Sequence, residues 1–185
     1  MDNHLAAALA DDLDAAFPRL VELHQHRIYA AALALTGCRA DAEEVAGDTL
    51  LRAHRALGRY DGERIRELRL SAWLHRIAVN AARNRVRDRG PAHAEITEAM
   101  AVAAPAAERP DVVAERAVGL HRLRDQLGRL PRAQREAVVL RHVQDLAYAD
   151  VATALRRPVG TVKSDVHRGL ARLRAGLGAE ENDDG

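Results

Sequence analysis

Apolar positions along the chain recur at the spacing of a helix. Leu20, Leu23, Ile28, Ala31 and Leu35 form a first stripe that stops at Thr36-Gly37, and Pro18 suits its start. Asp41 with Glu44 three residues later resembles a capping box for a second helix, which runs through Val45, Leu50 and Ala53 to about Leu57. Gly58-Arg59-Tyr60-Asp61-Gly62 breaks the pattern. A third long helix follows from about Leu68 to Arg87, and Gly90-Pro91 closes the block. The periodicity resumes near Asp111 with Leu120, Leu123 and Leu127. Further helices are expected over 131–143, 147–156 and 160–177, the last two separated by a turn at Arg157-Pro158-Val159-Gly160. Strand-like alternation is missing at any length, and so is a repeat of 20–50 residues.

The expected architecture is all-α: two small helical domains joined by a flexible linker rich in Ala, Pro and Glu. The boundaries read as an acidic N-terminal extension at 1–16, a first domain at 17–90, a linker at 91–115, a second domain at 116–178 and an acidic tail at 179–185.

Composition narrows the class. The 185 residues include one Phe and one Trp, so the cores should be lightly filled with Ala and Leu. No apolar run approaches the roughly 20 residues of a membrane span. The acidic N-terminus (Asp2, Asp11, Asp12, Asp14) is unlike a signal peptide. Cys38 is the single cysteine, which excludes an internal disulfide and fits a cytoplasmic protein.

Charge adds more. The net charge of +1 conceals strong segregation. Residues 17–90 carry 14 Arg against 9 acids, and residues 116–175 carry 13 Lys/Arg against 5 acids. Residues 91–115 carry one Arg against 5 acids, and head and tail hold four acids each. Two basic blocks with acidic segments between and around them suggest two modules facing a polyanion. Two solvated helical faces would give the same totals.

Two constellations could carry chemistry. The helix holding Asp150, Ala152 and Leu155, a short turn, and the helix opened by Val159-Gly160-Thr161 have helix-turn-helix spacing. Val162, Val166, Leu170, Leu173 and Leu177 share one face of the second helix. Thr161, Lys163 (the only lysine), Ser164, His167, Arg168 and Arg172 lie largely on the other, where they can meet phosphates and base edges in a major groove. A plain helical hairpin is the alternative. In the first block, Arg69, Arg76, Asn80, Arg83 and Arg87 fall on one stripe with Asn84 at its edge and Trp73 beside it. Arg for phosphate, Asn for a base edge and an indole for stacking suit an unstacked strand. The same pattern also fits a core tryptophan under a solvated face.

Taken together, these residues resemble a known family. Leu130-Pro131, Gln134-Arg135-Glu136, Tyr148, Asp150, Ala152, Pro158 to Ser164 and His167 to Leu173 are similar to region 4 of bacterial sigma-70 factors of the extracytoplasmic-function group. Ala40 to Val45, Asp48 to Ala53, and Trp73 to Asn80 are similar to region 2 of that family. The resemblance covers about 17–178 in the family's order.

The resemblance implies an alternative sigma factor, not an enzyme, with no catalytic residue and no cofactor. Such a protein binds core RNA polymerase, directs it to promoters and assists melting. Its partners would be the clamp helices of the largest polymerase subunit, the flap of the second-largest subunit, promoter DNA, and in some cases a separate anti-sigma factor. Asp41, Glu43, Glu44, Asp48, Leu51 and Arg52 would dock on the clamp helices. Tyr60, Arg64, Trp73, Arg76, Asn80, Arg83, Asn84 and Arg87 would meet and melt the −10 element, with the loop 59–64 holding a flipped base. Thr161, Lys163, Ser164, His167, Arg168 and Arg172 would read the −35 element. The acidic linker would thread toward the RNA exit path.

Four positions depart from the family: Gly47 where Gln is usual, Asp48 where Glu is usual, Ala147 where a Ser or Thr cap is usual, and Asp165 where relatives often carry a basic residue. Asp165 is expected to face DNA, repelling phosphate or accepting from cytosine N4. The nine histidines show no metal-ligand spacing. A sigma-like decoy that binds an anti-sigma factor, and a helix-turn-helix repressor, are the rival functions. The first leaves the basic faces unused and the second leaves 40–87 unexplained.

Overall fold

A computed structural model of the chain describes residues 2–89 and 110–181; side chains are described from His4 to Asp88 and from Gly119 to Gly178. The described residues contain helices and no strand. In the first half these are α1 (Asp2–Asp11), α2 (Leu13–Thr36), α3 (Arg39–Leu57), α4 (Gly62–Arg66) and α5 (Leu70–Arg89). In the second they are α6 (Pro110–Arg129), α7 (Arg132–Val138), a π-helical turn (Val139–Val143), α8 (Tyr148–Leu155) and α9 (Val159–Glu181). Most of the linker lies outside the described residues.

The acidic head is helical and contributes to the core. Leu5, Ala6 and Leu9 of α1 are buried with Leu20, Ile28, Leu57, Ile65, Leu70 and Trp73. Asp12 then caps α2 by accepting a hydrogen bond from the Ala15 N–H at 3.0 Å. The helix start expected at Pro18 therefore lies five residues too late. Pro18 sits inside α2, exposed, where the cap and the apolar pair Leu13 and Phe17 outweigh the hydrogen bond its ring removes. Asp41 does not cap α3. Cys38 occupies that position, and Asp41 is buried with a carboxylate oxygen 2.9 Å from Arg85 Nε. The expected loop 59–64 is half helix, because Asp61 caps α4 through the Arg64 N–H at 2.8 Å.

In the second half, Leu130, Val138, Leu140, Val151, Leu155, Val162, Val166 and Leu173 form the core. Gly169 lets α9 cross α7 closely: a methyl there would lie 2.6 Å from Cγ2 of Val138. The helix expected over 131–143 loosens after Val138 into a π turn, with the Gln144 N–H donating to the Val139 carbonyl five residues back. That extra residue turns Gln144 inward, while Asp145 takes a left-handed backbone (φ 51°). Ala147 gives α8 no side-chain cap, as its sequence implies.

The two halves pack together. Ala31, Leu35, Val45, Val79 and Ala82 of the first belong to the same buried cluster as the core of the second.

Candidate nucleic-acid interface

The helix-turn-helix is built by α8, a turn and α9. Arg156 ends α8 in the left-handed region (φ 54°), and its N–H donates back to Ala152 O in the manner of an αL cap. Val162, Val166 and Leu173 seat α9 on the core. All six residues expected to read duplex DNA are exposed: Thr161, Lys163, Ser164, His167, Arg168 and Arg172. Ser164 Oγ donates to the Gly160 carbonyl at 3.0 Å, and Arg172 donates to Gln134 Oε1 at 3.2 Å. Lys163 Nζ stands 5.8 Å from the Tyr148 ring.

Asp165 does not face outward. It is 6% exposed, and its carboxylate accepts from Arg168 Nη2 at 3.0 Å and from Arg157 Nη1 at 3.5 Å. The expectation of an acid presented to DNA is corrected: its place beside Val166 on the inner side of α9 buries it, and two guanidinium groups neutralise it.

On α5, Leu70, Leu74, Ala78 and Ala81 are buried, which turns the Arg/Asn stripe away from the first half's core. Trp73 is 6% exposed and belongs mostly to that core, with its ring 6.2 Å from the ring of Tyr60. Arg64 lies over Tyr60 at 3.8 Å, a cation–π distance. Tyr60, Arg64, Arg69, Trp73 and Arg76 line one cleft of about 360 Å³, and Thr153 of α8 closes a side of it. Asn80 is exposed and Asn84 is partly so; Arg87 pairs with its neighbour Asp88 at 3.3 Å. The eight residues therefore form a cleft group and a distal group along α5.

The second half engages this same face. Arg83 makes a two-pronged contact with Glu136 of α7, Nε to Oε1 and Nη2 to Oε2, both at 2.7 Å. Glu136 is 1% exposed and also accepts from Arg157 at 3.0 Å. The hydrogen bond to Glu136 holds the Arg83 guanidinium above its ordinary pKa. Arg69 pairs with Asp150 of α8 at 2.7 Å. Deeper in, His75 lies against Gln144 at 3.1 Å and the Ser71 carbonyl at 2.7 Å. Burial pushes the His75 pKa down, so the ring is neutral and donates one proton. The Ser71 carbonyl can only accept, so Nδ1 carries that proton; Gln144 Oε1 is the atom set 3.1 Å from Nε2, and a donated hydrogen bond there requires the carboxamide to exchange its oxygen and NH2. Arg27 donates to the Gln144 backbone carbonyl. His75, Gln144 and Glu136 were invisible as an interface in the sequence. Their only signal was polarity inside otherwise apolar helical faces.

The remaining predicted group lies on α3. Glu43, Leu51 and Arg52 are exposed, and Leu51 at 59% is the most exposed of the large apolar side chains described. Asp48 pairs with Arg52 at 2.7 Å, Glu43 with Arg39 at 3.5 Å and Glu44 with Arg85 at 2.7 Å. Asp41, at 1% exposed, lies beneath this surface and drops out of any docking set. Among the described residues no group of His, Cys, Asp and Glu could hold a metal, and no helix is long and apolar enough to cross a membrane.

A helix-turn-helix with an exposed polar face and an Arg/Asn stripe beside an aromatic cleft, in one helical chain, suit a DNA-binding protein with two contact faces. The family models agree: Sigma-70 region 2 matches residues 20–91 and Sigma-70 region 4 matches residues 120–173. The chain is 39% identical over 176 residues to the ECF RNA polymerase sigma factor SigM of Mycobacterium tuberculosis, covering 94% of this chain and 83% of that one. Its fold is similar to CnrH, solved in complex with the cytosolic domain of CnrY, with a TM-score of 0.72, 27% identity and coverage of 96% and 97%. It is also similar to the sigma factor RpoE solved with the anti-sigma factor NepR from Bartonella quintana, with a TM-score of 0.68, 26% identity and coverage of 87% and 96%. The chain belongs to the extracytoplasmic-function group of the sigma-70 family and is an alternative sigma factor that directs RNA polymerase to promoters. The family is regulatory and DNA-binding.

Proposed function

We propose that the two halves divide promoter recognition between them, 116–178 reading the −35 element as duplex and 17–90 reading and melting the −10 element. The observation that carries this division is the pairing of two different DNA-facing chemistries in one chain. The α9 face is exposed and polar, as a helix entering a major groove requires. The α5 face borders a cleft with an aromatic wall and a guanidinium rim, which suits a flipped base. Arg76, Asn80, Arg83, Asn84 and Arg87 would track the separated strand, and Tyr60, Arg64 and Trp73 would hold the extruded base. Trp73 would act through the small part of it that reaches the cleft.

Glu43, Glu44, Asp48, Leu51 and Arg52 would meet the clamp helices of the largest polymerase subunit. An exposed leucine ringed by charges, on a face away from the DNA stripe, supports that role. The second half would contact the flap of the second-largest subunit. The chain would act in the cytoplasm and carry no catalytic step of its own. The solved relative bound to an anti-sigma factor supports a separate anti-sigma partner here too.

Reading both elements requires the halves to part. A compact body of this length has a radius of gyration of about 16 Å. Two elements about 25 base pairs apart are separated by roughly 85 Å at about 3.4 Å per pair. Thr153 at the cleft and Glu136 on Arg83 must also withdraw before a strand can enter. The discriminating experiment is run-off transcription with core polymerase. Promoter-specific transcripts that depend on added protein are expected, and their absence at every promoter offered contradicts the proposal.

A further inference from the structure

Arg168 is a long, exposed side chain (59%) on a DNA-facing helix, yet it is not free to wander. One of its terminal nitrogens donates to Oδ1 of Asp165, three residues earlier on the same helix. An exposed pair of this spacing would ordinarily hold little. Here the acceptor is different, because Asp165 is buried and itself fixed. Its second oxygen faces Arg157, whose guanidinium donates to Glu136 at 3.0 Å and to the Ala133 carbonyl at 3.3 Å. The chain Glu136, Arg157, Asp165, Arg168 thus runs from the core of the second half to its DNA-facing surface. Holding Arg168 removes rotamer freedom before binding instead of during it. A guanidinium has five donors, and the contact uses only one. Enough remain for the two-pronged contact that Arg makes with O6 and N7 of guanine.

We infer that Asp165 is a positioning residue that holds Arg168 for reading a guanine, so that a buried acid sets base preference at one position of the −35 element. This rests on the reading of α9 as the −35 helix. Asp165 touches no base. It also lowers the local positive charge, so recognition there leans on geometry more than on phosphate attraction.

The test is promoter selection by holoenzyme from a library randomised across the −35 element. The wild type should prefer guanine at one base pair by roughly 5- to 150-fold. Arg168→Lys keeps the charge but loses the fork and should abolish that preference. Asp165→Asn should reduce it at least threefold at the same base pair and leave the other positions unchanged. Asp165→Asn combined with Arg168→Lys should lose no more than Arg168→Lys alone. Asp165→Glu keeps the carboxylate one methylene further out and should fall between wild type and Asp165→Asn. A uniform loss across all positions would mean that Asp165 only supports the fold, and an unchanged profile would remove it from recognition. Either result overturns the inference, and so does a wild-type profile for Asp165→Glu if Asp165→Asn fails to fold by circular dichroism. A wild type that transcribes promoters without any −35 preference overturns the reading of α9 itself, and the inference with it.

Discussion

The two arginine-bearing helices, α5 and α9, make the instructive comparison. Both bury one apolar face and turn a polar stripe away from their own core. On α9 the stripe meets solvent, and its guanidinium groups are tethered from below by buried partners, Asp165 and Gln134. On and just before α5 two arginines of the stripe, Arg83 and Arg69, meet the other half of the molecule, which supplies Glu136 and Asp150 where a nucleic acid would supply phosphates. Similar side chains thus stand in different settings: the α9 arginines are held by partners of their own half and open to solvent, while Arg83 and Arg69 are held by carboxylates of the other half. If α5 meets the −10 strand as proposed, the conformational work of promoter opening falls at the contact between halves, not within either one.

Breaking that contact has the largest expected effect. Glu136→Ala leaves Arg83 without its buried carboxylate and Arg157 with the carboxylate of Asp165 alone, and should cost about 3–5 kcal/mol, read as a lowered melting temperature. The folded fraction of this variant should bind single-stranded −10 DNA more tightly than wild type, since Arg83 no longer has an internal competitor. Gly169→Ala acts on the other helix, forcing a methyl against Val138, and should cost about 1–3 kcal/mol while leaving the α5 contacts alone. Asp48→Lys changes neither DNA face. It should weaken co-purification with core polymerase by up to about tenfold without altering melting, because exposed pairs contribute about 1 kcal/mol or less.

Acidification sharpens the comparison through His75. Its pKa is lowered in the folded protein, so the unfolded or opened chain binds the proton more readily. The contribution to the closed arrangement is complete above pH 6.5 and is lost as pH falls below that value. Limited proteolysis of the linker, or a melting curve at each pH, should show the halves loosening on the acid side. His75→Gln should flatten that dependence.

Seven of the nine α-helices described and the two constellations are legible because they rest on local signals: 3.6-residue periodicity, turn residues and the clustering of arginine; α1 and α4 are not. The six α9 residues all emerged on the exposed face for that reason. What escaped was set by distant parts of the chain. Asp41 and Asp165 read as surface acids because their partners Arg85 and Arg157 lie 44 and 8 residues away and no periodicity announces them. Pro18 reads as a helix start because a proline suits a first turn, while the cap that Asp12 supplies six residues earlier shows only in its hydrogen bond to Ala15. Glu136 read as one element of a motif; that it closes on Arg83, 53 residues earlier, depends on how the halves meet.

The central claim is that the covered α5 face must be uncovered when the protein reads a promoter. Paired spin labels at the exposed residues Arg59 and Arg156, in a Cys38→Ser background, report the separation of the cleft from the second half. Pulsed electron–electron resonance should give a single short distance for the free protein and a distance longer by several tens of ångströms in a promoter complex with core polymerase. A transcribing complex that keeps the short distance would contradict the account.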